Sequence, residues 1–484
     1  MKIRWRMPHP ATMFFLLTLV VVFFSWICDI YGLTVKLPQT GEEIHVQSLL
    51  SAEGIRWWLR NAISNFTGFT PLGMVIIALF GLGVAQHSGL IDAFIRLCVH
   101  SRSQKNKVIF WVIFLGLISN VVGDAGYVIL IPIAAVLFSF VGLNPLAGII
   151  TAYVAVSGGY SANILLGTID PILAQYTQEA LPAMSRFGGD VGPLCNYFFM
   201  FVSTFVVGFV IYAVTKRYLI PSLPQDACEI KSLVYKPLSR REREALFVSL
   251  IALLIYVAII LWFTFSSQGI FRGINGGLLH SPLIDGLLFL ISFGIGIVGM
   301  VYGFASRRYR TDKEVIDGLI LPINLIGVYI VIVFFAAQMF ACLNYSHLDK
   351  CLMIGGANML LSFQPGGLSM LLLFILFTAV VNLIMVSATG KWSVMAYIFI
   401  PVFAQLGLAP DIVQCAYRIG DSATNIITPF MLYMPVILTY MHYYDKHVTF
   451  GSLFKYTRKY ALAIFVVWTL LFVLWYALAL PFGK

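Results

Sequence analysis

The chain has 484 residues, 60% hydrophobic and only 11% charged. A water-facing shell around a core of that size needs far more charge, so the composition excludes a soluble globular protein and predicts an all-α polytopic membrane protein. The net charge of +10 does not indicate a nucleic-acid partner, because the basic residues form no dense patch and cluster at the ends of apolar runs, the distribution that sets membrane orientation.

In chain order, the first apolar run covers 11–33 behind Lys2, Arg4 and Arg6 and has the length and bulk of a retained signal anchor. Further full-length runs cover 70–88, 192–214, 245–265, 283–303, 317–341 and 455–480. Each is long enough, at ~1.5 Å per residue, to cross a hydrocarbon core of ~30 Å. Between the first two, Glu42 to Glu53 with Trp57 and Trp58 reads as an external loop with an interfacial aromatic anchor. Leu90 to Val99 reads as a short amphipathic surface helix, and Lys231 to Arg243 as a basic cytoplasmic connector. Seven scattered cysteines, without Cys-x-x-Cys or Cys/His ligand spacing, predict neither a metal site nor a disulfide framework. Cys342 and Cys351 are the pair able to bridge if both face an oxidising compartment.

Two other apolar regions are interrupted. Region 108–141 is broken by Ser119-Asn120-Val121-Val122-Gly123-Asp124-Ala125-Gly126, and region 369–406 by a stretch holding Asn382 and Ser387-Ala388-Thr389-Gly390-Lys391-Trp392. The arms of the first are about a dozen residues each, roughly 18 Å as helices and too short to span, so re-entrant hairpins with polar tips are predicted. Each is followed by a helix with a polar break. The first, over 146–175, carries Gly158-Gly159-Tyr160-Ser161-Ala162-Asn163 and Gly167-Thr168-Ile169-Asp170; the second, over 411–438, carries Arg418-Ile419-Gly420-Asp421-Ser422-Ala423-Thr424-Asn425 and Thr428-Pro429. Both breaks follow a Gly-Leu-x-Pro turn, Gly142 to Pro145 and Gly407 to Pro410, and an Ala-Tyr pair. Asn120 precedes Asn163 by the same interval as Asn382 precedes Asn425. The halves therefore read as copies.

Lys/Arg-rich loops alternate with basic-poor ones near 34–68, 175–190, 266–282 and 343–352, which places the basic-poor set outside and predicts nine crossings, with the N-terminus cytoplasmic and the C-terminus outside. The hairpins then enter from opposite sides, which makes the repeats inverted. The predicted organisation is a first repeat over 1–215, a connector with two scaffold helices over 216–316, and a second repeat over 317–484. A repeated, Gly/Pro-broken, ion-bearing helix at membrane depth is the sequence sign of a secondary transporter's binding site.

The strings resemble those of the p-aminobenzoyl-glutamate transporter (AbgT) family, within the wider ion-transporter fold. The resemblance rests on Asp124-Ala125-Gly126-Tyr127-Val128, on Ser161-Ala162-Asn163 with Gly167-Thr168 and Asp170, on Ser387-Ala388 leading to Lys391-Trp392-Ser393, and above all on Ala416-Tyr417-Arg418-Ile419-Gly420-Asp421-Ser422 with Thr424-Asn425 and Ile427-Thr428-Pro429. It implies a homodimer of nine-helix, two-hairpin subunits in a bacterial inner membrane, each with a dimerising scaffold and an inner transport core. It also implies cation- or proton-coupled movement of p-aminobenzoyl compounds, including export of sulfonamide antimetabolites in some members. The family's functional aspartate, tryptophan, arginine and second aspartate fall on Asp170, Trp392, Arg418 and Asp421; Asn382 and Pro410 also match. The residue before the tryptophan varies in the family and is Lys391 here.

The candidate solute set is thus Asp170, Asn382, Ser387, Lys391, Trp392, Pro410, Arg418 and Asp421. Arg418 with Lys391 would meet a carboxylate and Trp392 would stack on an aromatic ring. Ser161, Asn163, Ser422, Thr424 and Asn425 would hold a coupling Na+, or Asp124, Asp170 and Asp421 would relay H+. Structural readings stand beside these: Arg418 and Asp421 neutralising each other on one helix face, Asp170 capping a half-helix at Pro171, Asp124 capping a hairpin arm or sitting in water at a cavity floor, Trp392 as a lipid-facing or core aromatic, Tyr127 and Tyr160 as packing. No Walker motif, dinucleotide turn or nucleophile elbow is present, so no cofactor is expected. An intramembrane enzyme acting on a lipid-like substrate and a passive channel are the alternative functions. The sequence does not choose between import and efflux.

Overall fold

The computed structural model describes residues 8–38, 40–98, 104–122, 124–181, 191–224, 237–266, 269–273, 276–277, 281–362 and 366–483. Residues 182–190, expected as an external loop, and 225–236, which include much of the expected connector, lie outside them. The described chain is helical apart from a two-stranded antiparallel hairpin, β1 (Thr34–Lys36) and β2 (Glu43–His45), that pairs Val35 with Ile44.

The helices of the first half are α1 (Pro10–Ile30), α2 (Ala52–Thr67), α3 (Thr70–His87), α4 (Leu90–Cys98), α5 (Lys105–Ser119), α6 (Ile131–Phe140), α7 (Pro145–Tyr153), α8 (Ile169–Glu179), α9 (Tyr197–Val214) and the single turn α10 (Ile220–Ser222). They are followed by α11 (Arg240–Phe265), the short α12 (Pro282–Asp285), α13 (Leu287–Ala305), α14 (Asp312–Ile320), α15 (Ile323–Ser346), α16 (Leu348–Ser362), α17 (Gly367–Val381), α18 (Ala388–Gln405), α19 (Pro410–Ala423), α20 (Met434–Tyr444) and α21 (Phe450–Ala477). Among the described residues 7 helices are long and apolar enough to cross a membrane, and they coincide with the seven full-length runs of the sequence. Their ends follow local chemistry. The run over 245–265 starts earlier, at Arg240, because Ser239 and Glu242 close a capping box. α1 starts at Pro10, where a missing N–H costs nothing.

Two expected loops are helices. The segment with Trp57 and Trp58 forms α2, capped by Ser51, whose side chain accepts from Gly54 N–H. Trp58 Nε1 and Asn65 Nδ2 donate to Gln338 Oε1 of α15 at 3.0 and 3.3 Å, and Trp57 stacks on Tyr345. The basic-poor stretch 343–352 holds only a one-residue turn, left-handed at His347 (φ 56), before α16 begins. Both helices carry polar residues among their apolar ones, so neither shows as an apolar run. Cys342 and Cys351 remain separate buried thiols.

α1, α2, α3, α11, α13, α14 and α15 pack in sequence-distant pairs: α3 against α13 and α14, α1 and α2 against α15, and α11 against α13. α4, the surface helix, is tied to α11 by an Arg96–Glu242 ion pair. The remaining helices form a second group. α5 and α6 pack on α7, α17 and α18 pack on α19, α9 packs on α21, and α18 crosses between halves to pack on α8. Phe374 of α17 meets Phe399 and Phe403 of α18, which closes that pair of arms.

The two halves repeat a turn at atomic detail. α6 and α18 end in glycines with left-handed backbone, Gly142 (φ 73) and Gly407 (φ 82). The following residues close the helix end with the same reach: Leu143 N–H donates to Phe138 O and Leu408 N–H to Phe403 O, at 2.8 and 2.9 Å. Only glycine takes this conformation without strain. The proline that comes next, Pro145 or Pro410, opens α7 or α19 in its first turn.

Candidate functional site

Both broken helices stop inside the protein. α7 runs into a π turn at Val154–Gly158, and irregular backbone follows from Gly159 to Thr168 before α8 begins. α19 ends at Ala423, and irregular backbone continues to α20. Backbone groups left over at such ends need partners at membrane depth. Here the hairpin asparagines supply them. Asn120 Nδ2 donates to Gly159 O at 3.5 Å, and Asn382 Nδ2 to Asp421 O at 2.7 Å, across the same 39-residue separation.

The halves also bond to each other. Ser161 N–H donates to Ser422 Oγ at 3.2 Å, Asn425 Nδ2 to Ser157 O at 3.2 Å, and Tyr153 Oη to Asn425 O at 3.1 Å. Arg418 Nη2 lies 2.6 Å from Asp170 Oδ1 and donates to Ser161 O at 3.2 Å. Asp170 Oδ2 accepts from Gly167 N–H at 2.6 Å. The in-helix pairing of Arg418 with Asp421 is therefore corrected: Arg418 reaches across the break to Asp170. Asp421 instead meets Lys391 Nζ at 2.7 Å, and Lys391 also donates to Asn382 Oδ1. Asp170 does not cap a half-helix at Pro171: α8 begins at Ile169 with Thr168 as its N-cap and no side-chain cap, and the Asp170 carboxylate bonds Gly167 N–H and pairs with Arg418. All four charged side chains are buried, Lys391 at 0% exposure. Two cations beside two anions leave the layer neutral, the only form in which such charges are tolerable so deep.

A cavity of about 370 Å³ is walled by the first hairpin tip (Asp124, Tyr127), the first break (Tyr160, Ile169), the second tip (Ile384 to Thr389) and the second break (Asn425, Tyr433); the four paired charges are not among its lining residues. Phe340, Leu343 and Asn344 of α15 and Asp349 of α16 close its far side. Asp124 makes no side-chain bond that caps the returning arm; its carboxylate faces the Tyr433 hydroxyl. Tyr160 lines the cavity and is within electrostatic reach of Asp124, Asp170, Arg418 and Asp421.

Several expected residues fall elsewhere. Trp392 is fully buried; its Nε1 donates to Thr177 Oγ1 at 2.9 Å, and its ring packs on Tyr417 at 4.4 Å rather than facing the cavity. Pro410 opens α19 two turns before Arg418, about 12 Å along the axis. Ser387 lines the cavity while capping α18 through Gly390 N–H. Ser422, Thr424 and Asn425 are hydrogen-bonded within the protein. Among the described residues, Ser161 Oγ and both polar atoms of the Asn163 side chain have no hydrogen-bond partner, and all three are buried. Tyr127, Tyr160 and Tyr433 form much of the cavity wall. Tyr127 and Tyr160, expected as packing, are thus lining residues, and so is Tyr433; a tyrosine inside an apolar run carries no sequence mark that separates lining from core.

The AbgT putative transporter family model matches residues 2–484. The chain is 30% identical over 480 residues to the p-aminobenzoyl-glutamate transport protein of Escherichia coli strain K12, covering 99% of this chain and 94% of that one. Its fold is similar to the YdaH transporter of Alcanivorax borkumensis, with 35% identity, a TM-score of 0.54, and coverage of 99% of this chain and 100% of that one. It is also similar to MtrF of Neisseria gonorrhoeae, described as illuminating a class of antimetabolite efflux pumps, with 36% identity, a TM-score of 0.52, and coverage of 97% and 95%. These proteins are transporters, not enzymes, and the chain, a multi-pass membrane protein, belongs to the AbgT family.

Proposed function

We propose that the protein is a secondary active transporter of small aromatic carboxylates of the p-aminobenzoyl-glutamate type, or of related antimetabolites, driven by a sodium or proton gradient. The observation that carries this reading is the cavity where both hairpin tips and both helix breaks meet, lined by Ile169 next to Asp170 and by Asn425 near the buried ion pairs. Its size suits a drug-sized ligand, and Tyr160 with Tyr433 offers aromatic faces to a ring. A solute carboxylate competes with Asp170 for Arg418, so binding rearranges a contact that joins the two halves. Trp392, held by Thr177 of α8, transmits movement of the second hairpin to the first half. The oxygen-rich first break, with Ser161 and Asn163 unsatisfied, takes the coupling cation.

Around this centre we place nine crossings and two re-entrant hairpins in inverted repeats in the inner membrane, with the N-terminus cytoplasmic and the C-terminus outside. α11, whose most apolar window is only 6% buried, gives the apolar face for lipid and a second subunit. Proteoliposomes test the function: counterflow of p-aminobenzoyl-glutamate, with sodium and pH gradients imposed separately, should show accumulation driven by one of them. Absence of counterflow for this solute and for sulfonamides would overturn the substrate class, and equal flux without any gradient dependence would overturn coupling. For topology, a cysteine at Lys105 should be labelled only from the cytoplasm and one at Glu43 only from outside; labelling of both from one side would overturn the arrangement.

A further inference from the structure

The polar clusters at the two breaks share a plan and are finished differently. In the second half, Asn382 Nδ2 donates to Asp421 O, Thr424 Oγ1 and Asn425 Oδ1 at 2.7, 3.0 and 2.8 Å, and its Oδ1 accepts from Lys391. Lys391 Nζ also lies 2.7 Å from Asp421 Oδ1. In the first half, Asn120 Nδ2 makes only long contacts, 3.4 Å to Leu117 O and 3.5 Å to Gly159 O. Asn120 Oδ1, Ser161 Oγ and both polar atoms of Asn163 are buried without partners among the described residues. Asn163 Nδ2 and the Asn120 carbonyl both border Gly167, which brings those two residues together. The offset from Asn382 to Lys391 is nine residues. Counted from Asn120, the same offset reaches Ile129, and the counterpart of Asp421 is Gly159. At those two positions the first half thus carries neither the cation nor the anion that Lys391 and Asp421 supply in the second half.

We propose that the Lys391 ammonium is a built-in cation seated in a cation site of the second break, made by the Asp421 carboxylate and the amide oxygen of Asn382, and that a small monovalent cation takes the seat when the lysine is shortened. Lys391 therefore does not contact solute. Its ammonium has the role that a mobile ion has in the other half. The site stands on its own geometry. Its consequence for coupling, one mobile cation per cycle instead of two, rests on the ion-coupled reading above.

The physical reason is desolvation. Asp421 is 1% exposed, and a bare carboxylate so placed must gain a partner, bind a proton or force the site open. Thermal unfolding of the purified, detergent-solubilised full chain separates these outcomes, with sodium chloride replaced by choline chloride at constant ionic strength. Lys391→Ala should melt at least about 3 °C below the unaltered protein in choline. Added sodium should restore half or more of that loss along a saturating curve. The double variant Lys391→Ala with Asp421→Asn should show no sodium response beyond that of the unaltered protein. If Lys391→Ala is recovered only when sodium is present throughout purification, that also supports the seat. If it is recovered under neither condition, Lys391→Gln is taken through the same titration and read by the same criterion. Stability restored by lower pH but not by sodium, lithium or potassium, or a sodium response unchanged from the unaltered protein, would overturn the inference. The unaltered protein's own response reports separately on the first-half ion site: a flat curve removes sodium as the coupling ion and leaves the Lys391 result to be judged alone.

Discussion

The two helix breaks share a sequence plan and differ in how far they are satisfied. Around Asn382 nearly every polar atom is occupied by Lys391, Asp421, Thr424 or Asn425, whereas around Asn120 and Asn163 four side-chain polar atoms are buried with no partner among the described residues. A saturated polar network inside a low-dielectric core is rigid, and an unsatisfied one is unstable until something enters it. The comparison assigns the fixed half of the machine to the second break and the responsive half to the first. The Arg418–Asp170 contact is where one half can feel the other.

Breaking that link should have the largest effect. Arg418→Gln strands Asp170 in the core and should cost about 3–5 kcal/mol of stability, the range found when one member of a buried pair is removed. Adding Asp170→Asn should restore most of it, since Asn keeps a side-chain oxygen to accept from Gly167 N–H. Adding Asp421→Asn should not, because Asp421 belongs to Lys391. Melting temperatures of the three variants decide the pairing, and counterflow of a carboxylated solute should be lost in all of them. Rescue by Asp421→Asn instead would return Arg418 to the in-helix pair.

The asymmetry itself is sharpened by matched substitutions. Asn382→Ala removes the hub of the second cluster, several buried hydrogen bonds at about 1 kcal/mol each with more for those to charged groups, so a loss of about 3–4 kcal/mol is expected. Asn120→Ala removes two long contacts and should cost about 1 kcal/mol or less. Equal losses, measured by denaturation in detergent, would show that the first cluster is as tightly made as the second. A smaller effect tests the strut between halves. Trp392→Phe keeps the ring against Tyr417 and loses the bond to Thr177, so about 1 kcal/mol should be lost. A loss several times larger would mean that the indole's shape, not its N–H, holds α18 on α8.

The sequence carried the paired turns and asparagine contacts, because they are written in residues whose backbone behaviour is special. Gly142 and Gly407 turn left-handed, Pro145 and Pro410 open helices, and Asn120 and Asn382 sit at one spacing from the breaks they contact. It carried the apolar spans for the same reason, since length and hydropathy are local. Partnership across the fold was not legible. Arg418 and Asp421 are neighbours on one helix, and only the approach of α8 in three dimensions makes Asp170 the partner of the arginine. Lys391 read as a solute contact because tip lysines point to ligands in general; its carboxylate partner is 30 residues away on another helix. α2 and α16 were missed because their apolar faces are diluted by polar residues that find partners only in the folded protein, as Asn65 does at Gln338.

The smallest expected change in stability is the most informative about the responsive half. Both polar atoms of the Asn163 side chain are buried and unpartnered, so Asn163→Ala removes no hydrogen bond made within the protein. It removes two groups whose desolvation is uncompensated, and replacing such groups by an apolar one of smaller size is close to neutral. A change within about 0.5 kcal/mol is therefore expected in choline chloride. If Asn163 serves the coupling cation, its stabilising contribution exists only while the ion is bound, because a ligand that binds the folded state alone adds stability in proportion to its occupancy. Sodium should raise the melting temperature of the unaltered protein and do so weakly or not at all in Asn163→Ala, and gradient-driven accumulation should fail while solute exchange without a gradient persists. A packing role predicts the reverse: a stability loss that is the same in sodium and in choline, with coupling intact in whatever protein folds. The two salts thus separate an oxygen that waits for an ion from one that merely fills space between α7 and α8.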